Sequence, residues 1–295
     1  MQNDNINIIV TGSTPGIGLA TVEILAKRTD KAYNIYITSR KQANAEKAVE
    51  KLAAKLEGTN STFNGLELNL GNKDSIDAFV ANLVAQDLKF DIFVNNAAVH
   101  NYEKANQTDE DFHFQWDINY TNTRYLTEQL LDNGRVKENG KIINVSSHCG
   151  KWTNLRKSNP EIFEKLQGWE SFGYKEVGEI EQAFLEDRKT EEGKKKWPNW
   201  VYFTTKIFLN LFTYVLGKDP RVTENGIQVY ALCPGFTDTG MTASFEGWER
   251  KTTEQAAQTT IYLIDLPFGI NQELQGGFFE DEKHSSYNSE APQYE

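Results

Sequence analysis

Tyr202 and Lys206 stand four residues apart in the run Trp200-Val201-Tyr202-Phe203-Thr204-Thr205-Lys206. On a helix that spacing puts both side chains on one face, an ammonium beside a phenol. A free phenol ionises near pH ~10, and a neighbouring positive charge favours its anionic form. The pair is thus a candidate proton donor, although an exposed helix pair is the ordinary meaning of Tyr-x3-Lys taken alone. A second chemical signal is the turn "TGSTPGIG" at 11–18, with Gly12, Gly16 and Gly18 in Gly-x3-Gly-x-Gly spacing. Such a turn lets backbone N–H groups approach a pyrophosphate at the start of the next helix. By itself it is also a plain strand–helix connection. Its weight comes from its context, because it follows a strand pattern and opens a helix pattern.

Those residues need a frame. Short β-branched runs at 6–10, 33–38, 63–68, 91–94, 141–145 and 227–232, with a weaker one at 276–279, alternate with helical patterns at 17–28, 43–56, 75–86, 109–131 and 202–217. That alternation predicts βαβ units: a doubly wound α/β fold of Rossmann type, with a mostly parallel seven-stranded sheet and helices on both faces. The segment 151–199 breaks the alternation. It holds the charge run "EDRKTEEGKKK" and, at Val177, Ile180 and Phe184, one amphipathic helix, and it reads as a helical insertion into a single domain over 1–280. Residues 281–295 read as a polar, frayed tail.

Composition narrows the partners. With 31 basic and 42 acidic side chains among 295 residues, the net charge of −11 disfavours nucleic acid, which needs a basic face. No apolar run reaches the roughly 18 residues of a membrane span, and the polar start "MQNDNINIIVTG" lacks a signal pattern. The two cysteines, Cys149 and Cys233, read as free thiols of a reducing compartment, which suggests a cytoplasmic location. The four histidines are scattered and neither they nor the cysteines fall at ligand spacing, so no metal site is expected.

Taken in order, "TGSTPGIG" (11–18), "NNAA" (95–98), "INVSS" (143–147), "YFTTK" (202–206) and "PGFTDT" (234–239) resemble the short-chain dehydrogenase/reductase family over nearly the whole chain. The 54 residues between Ser147 and Tyr202, ending in Trp197-Pro198, are similar to the monomeric NADPH-dependent carbonyl reductases, as are "TTEQAAQTTIYLIDLP" and "GGFFEDEK". The resemblance implies a monomer, because in that group the inserted helices cover the surface that builds tetramers elsewhere.

It also implies roles. Tyr202 would donate the proton, and Lys206 would favour the phenolate and hold the nicotinamide ribose. Ser147, at the carboxyl end of a strand, would hydrogen-bond the substrate oxygen as charge develops there. Asn119 would organise a water site beside the lysine. Cofactor contacts are expected from Gly12, Ser13, Thr14, Gly16, Ile17, Gly18, Asn69, Leu70, Asn95, Ala97, Tyr202, Lys206, Pro234, Gly235 and Thr239. Ala98 stands where the family usually has glycine, and Asn69 where an aspartate usually contacts the adenine amine. His148, Phe236 and Met241 are expected to line the substrate pocket with Ser147 and Tyr202.

Cofactor choice follows from the end of the second strand, "YITSRK". An acidic residue there would bind a ribose 2′-hydroxyl and repel a 2′-phosphate, whereas Ser39 and Arg40 suit the phosphate, so NADP(H) is expected. Pro15 in the glycine turn adds neither charge nor donor. The sequence thus predicts reduction of aldehydes, ketones or quinones to alcohols. A retinoid- or steroid-type alcohol dehydrogenase and a non-catalytic NADP(H) sensor are the alternatives.

Overall fold

A computed structural model describes residues 5–100, 108–245 and 247–290. The first half alternates β1 (Ile6–Val10), α1 (Gly16–Ala26), β2 (Tyr33–Ser39), α2 (Gln42–Lys55), β3 (Thr62–Glu67), α3 (Lys73–Ala85) and β4 (Phe90–Asn95). Next come α4 (Asp109–Trp116), a π-helical turn (Asp117–Thr121), α5 (Asn122–Asp132) and β5 (Val136–Val145). The insertion carries α6 (Pro160–Lys165), α7 (Tyr174–Asp187) and α8 (Glu191–Lys194). It leads to α9 (Val201–Leu216), α10 (Pro220–Thr223), β6 (Gln228–Cys233), α11 (Thr253–Asp265), β7 (Gly277–Glu280) and β8 (Lys283–Ser285).

The strands form one sheet in the order β3-β2-β1-β4-β5-β6-β7-β8, parallel except for the last pair. Apolar runs such as Ile8–Ile9–Val10 and the fully buried β6 suit central strands covered on both faces. Val22 and Leu25 of α1 and Leu263 and Ile264 of α11 cover one face. Ile76, Leu126, Leu130 and Phe208, from α3, α5 and α9, cover the other. The chain reverses its winding between β1 and β4, which opens the crevice at the carboxyl ends of the strands where ligands bind in such sheets.

Two expectations change. The sheet has eight strands, not seven, because Lys283–Ser285 pairs antiparallel with β7. The polar tail expected from 281 onward is therefore docked through the described residues up to 290. Tyr287 is buried, stacks on Trp152 at 4.9 Å, and donates its hydroxyl to the Gly276 carbonyl at 2.8 Å. A polar composition hid one anchoring aromatic.

The insertion behaves as its periodicity predicted. Val177, Ile180 and Phe184 are buried, and Phe184 packs against Trp116 (4.8 Å), Trp197 (4.8 Å) and Phe208 (5.6 Å). It thus braces α4 and α9, the elements that carry the site.

Candidate active site

Helix α9 is almost wholly buried, and its first turns present Tyr202 and Lys206 together, the Lys206 Nζ 5.5 Å from the Tyr202 ring centroid. Lys206 is 2% exposed and donates to the Val145 carbonyl at 2.8 Å, at the end of β5. Burial lowers its pKa to about 8, which still leaves most of it cationic at neutral pH, the sign needed beside a phenolate.

Ser147 follows β5 in extended conformation, and its Oγ accepts from the Cys149 N–H at 3.1 Å. The turn beyond it can lie against α9 only because residue 150 is glycine. A Cβ there would sit 2.5 Å from the Lys206 carbonyl oxygen. Asn210 fastens the same contact by donating to the Gly150 carbonyl at 2.9 Å. One close approach thus couples the serine loop to the Tyr–Lys helix.

Asn119 lies in the π-helical turn, a device found often at functional sites. The widened turn leaves its amide bonded both ways to the Val99 main chain: Val99 N–H to Oδ1 and Nδ2 to the Val99 carbonyl, each 2.8 Å. A continuous helix over 109–131 was the sequence expectation, and this interruption is what aims Asn119 at the loop after β4.

The glycine turn fits a dinucleotide pyrophosphate. Gly12 and Gly16 have φ of 61° and 63°, in the left-handed region, and a Cβ on Gly12 would meet Ala97 at 2.9 Å. No side chain caps the start of α1, so its first N–H groups face the turn. Thr239 approaches the same turn, its methyl 3.6 Å from where a Gly16 Cβ would be. Arg40 is exposed just past β2 with Lys41 exposed beside it, while Ser39 supplies no competing carboxylate.

Several residues expected at the cofactor have side chains engaged within the protein. The Ser13 hydroxyl is buried, donating to the Val10 carbonyl at 2.7 Å. Leu70 packs in the core, with its carbonyl held by Asn122. The Asn69 Oδ1 accepts from the Gly71 N–H at 3.0 Å. Asn95 is buried, its amide donating to Thr127 and Asn144 at 2.9 and 2.8 Å, so its side chain braces the interior. The neighbouring Asn96 braces the turn instead, donating to the Thr11 carbonyl at 2.8 Å and crowding Gly18. Strand alternation sends adjacent side chains to opposite sides, which two asparagines in a row do not reveal.

A cavity of about 510 Å³ opens beside Ser147 and Tyr202. Ile17, Pro234, Gly235 and Thr239 line it toward the glycine turn, and Phe236 and Met241 form part of its wall, as expected. His148 does not line it. Its Nε2 is bonded to Glu280 and its backbone N–H to the Cys233 sulfur, and despite burial these partners raise the imidazole pKa to about 9. The residue after Ser147 enters a tight helical turn, which swings it toward the sheet edge.

Sequence reasoning missed the aromatic rim. Trp200 at the end of the insertion, and Phe245 and Trp248 in the loop after β6, join Phe236 through ring contacts of 5.6–6.0 Å. That loop is closed at its base by the Lys251 N–H donating to the Phe236 carbonyl at 2.8 Å. The density of aromatics in 236–248 was the only available signal. Among the described residues, no Asp, Glu, Lys, Arg or His lines the cavity. The Cys149 thiol beside it is pushed up to about 12 by burial, which leaves it protonated and unsuited to nucleophilic work. Among the described residues no group of three His, Cys, Asp or Glu is placed to hold a metal ion, and no helix is long and apolar enough to cross a membrane.

A doubly wound sheet with an open glycine turn, and a Tyr–Lys helix beside a serine-tipped strand, describe a dinucleotide-dependent oxidoreductase. Residues 6–159, more than half of the chain, match the family model for short chain dehydrogenases, and the chain belongs to that family. Carbonyl reductase 1 (NADPH) of Rattus norvegicus is 28% identical over 290 residues, covering 96% of this chain and 99% of its own length. Retinol dehydrogenase 12 of Mus musculus is 26% identical over 296 residues, covering 96% of this chain and 80% of its own. Among solved structures, salutaridine reductase from Papaver somniferum shares the fold with a TM-score of 0.75 at 24% identity, covering 94% of this chain and 100% of that one.

Proposed function

We propose that this chain is an NADPH-dependent carbonyl reductase acting on uncharged aldehydes, ketones or quinones. The observation that carries this reading is the placement of Ser147 and Tyr202 on one cavity whose described lining carries no charge, with Lys206 behind the phenol. When bound, the reduced nicotinamide supplies a hydride to the carbonyl carbon.

The rest falls to the protein's own residues. The Ser147 hydroxyl donates to the carbonyl oxygen and favours the charge that develops there. Tyr202 gives that oxygen its proton. The Lys206 ammonium makes the resulting phenolate less costly, and its remaining N–H groups are available to ribose hydroxyls. Asn119 fixes the loop after β4. Arg40 binds the 2′-phosphate that distinguishes NADPH from NADH. The aromatic rim excludes water and favours flat, apolar substrates.

Activity with NADPH and NADH side by side, over a panel of quinones, aromatic aldehydes and keto acids, tests the proposal. Turnover should favour NADPH and neutral carbonyls, and Tyr202→Phe should lower it by roughly 10²–10⁴-fold while NADPH still binds. Cofactor binding without turnover would instead make the protein a sensor. Similarity to a retinol dehydrogenase favours one second reading, oxidation of an apolar alcohol in the reverse direction. Retinol and NADP⁺ in the same assay separate the two. We further propose one catalytic unit, cytoplasmic and monomeric because the insertion covers α4 and α9; sedimentation as a tetramer would refute the monomer.

A further inference from the structure

The tyrosine at the cavity has a partner that its own helix does not supply. His100, in the loop after β4, lies flat against the Tyr202 ring, with centroids 4.5 Å apart and planes 9° from parallel. Gln115 and Trp200 also hold that imidazole, and Asn119 holds the main chain just before it. Its Nδ1 meets the Oε1 of Gln115, a fully buried residue of α4, at 3.1 Å. Trp200 meets it edge-on at 5.6 Å. The Asn119 amide grips the main chain of the preceding Val99 from both sides at 2.8 Å.

The Gln115 Nε2 donates to the Asp111 carbonyl at 3.2 Å, so Oε1 is the atom left to face the ring, and the imidazole Nδ1 must carry the hydrogen. Burial keeps His100 neutral, lowering its pKa to about 3. A neutral ring held in one tautomer makes a flat wall, and it adds no charge that would compete with Lys206.

The orientation matters because of how a phenol holds its hydrogen. Conjugation keeps the O–H bond in the plane of the ring, so the ring plane decides where the proton points. Left alone, the terminal torsion of a tyrosine is broad. A parallel neighbour narrows it.

We propose that His100 is a positioning residue for Tyr202, its ring setting the phenol plane so that the hydroxyl points at the substrate oxygen. The inference rests on the reading of Tyr202 as proton donor. It gives the π-helical turn a purpose, since Asn119 on that turn holds the segment that carries His100. It also assigns Gln115, which is not among the residues lining the cavity, as a residue that fixes the imidazole.

The test compares His100→Ala, His100→Phe and Gln115→Leu with the parent and with Tyr202→Phe. His100→Ala should lower kcat by roughly tenfold, about 1.4 kcal/mol of barrier. KM for the carbonyl and NADPH affinity, read by nucleotide fluorescence, should stay within about twofold, the split expected when only the reacting step is disturbed. His100→Phe, a flat ring in the same slot, should recover most of the rate, and Gln115→Leu should lose part of it. An unchanged kcat in His100→Ala overturns the proposal, as does a His100→Phe no faster than His100→Ala. If His100→Ala does not fold, Gln115→Leu decides, and an unchanged kcat there is equally fatal. Turnover that survives Tyr202→Phe would defeat the underlying reading instead, so the two failures are told apart.

Discussion

Two of this protein's buried lysines lie on or beside the same central strand, β5. Lys141, midway along β5, and Lys206, beyond its end, are both nearly inaccessible, and burial lowers each to a pKa of about 8. Their surroundings differ in one respect. Lys141 donates to three carbonyls at the end of α11, those of Leu263 (3.1 Å), Ile264 (2.8 Å) and Leu266. An ammonium has three N–H groups, so Lys141 is saturated, and it acts as a buried cap for a helix whose last carbonyls would otherwise be stranded. Lys206 donates to one carbonyl among the described residues, that of Val145. Its Nζ lies 5.5 Å from the Tyr202 ring, and in the function proposed above its other donors would serve the phenol and the cofactor ribose. Burial and pKa direction alone do not separate a structural lysine from a working one. The count of donors bonded among the described residues is what differs between these two, and it is the distinction the proposed function predicts.

The largest expected effect is Lys206→Met. It should lower kcat/KM by roughly 10²–10⁴-fold, the range for loss of a proton-transfer partner, while the melting temperature holds or rises because an incompletely bonded buried charge is gone. Lys141→Met should do the reverse. Its three stranded carbonyls predict a loss of about 1–3 kcal/mol in urea unfolding, with kcat/KM of the folded protein unchanged. Equal damage to activity from both variants would erase the distinction.

The smallest effect sharpens it. Each lysine has a folded-state pKa below the ordinary lysine value of 10.5, so between about pH 8 and 10.5 the unfolded chain binds more protons than the folded one. Stability should therefore gain from these two groups as pH rises through that window, and each Met variant should flatten its own share of the slope. A variant with the parent's full slope would show that the lysine it removes titrates normally in the fold.

Much of the site was legible because its chemistry is local. The i, i+4 spacing of Tyr202 and Lys206, the glycines with forced positive φ, and a serine at a strand's end each follow from short-range geometry. So did all seven parallel strands and the amphipathic face of α7. Residues that act across the fold were not legible. Gly150 looks like any loop glycine until α9 is packed against it. His148 and His100 both follow a sheet strand closely, yet one turns to Glu280 and the other to Tyr202. Asn95 and Asn96 look alike in sequence, yet one side chain braces Thr127 and Asn144 in the interior and the other holds the carbonyl of Thr11 in the glycine turn. β8 was lost in a polar tail, since three residues carry too little pattern to announce a strand.

The sequence by itself determined the doubly wound sheet, the glycine turn and the Tyr–Lys helix face, because backbone sterics and helical periodicity act between neighbours in the chain. Only the tertiary structure decided which histidine stands against the phenol, which lysine keeps donors free, and which aromatics close the cavity. Those outcomes depend on packing between elements far apart in sequence, where the position of each surface is fixed only once all the others are in place.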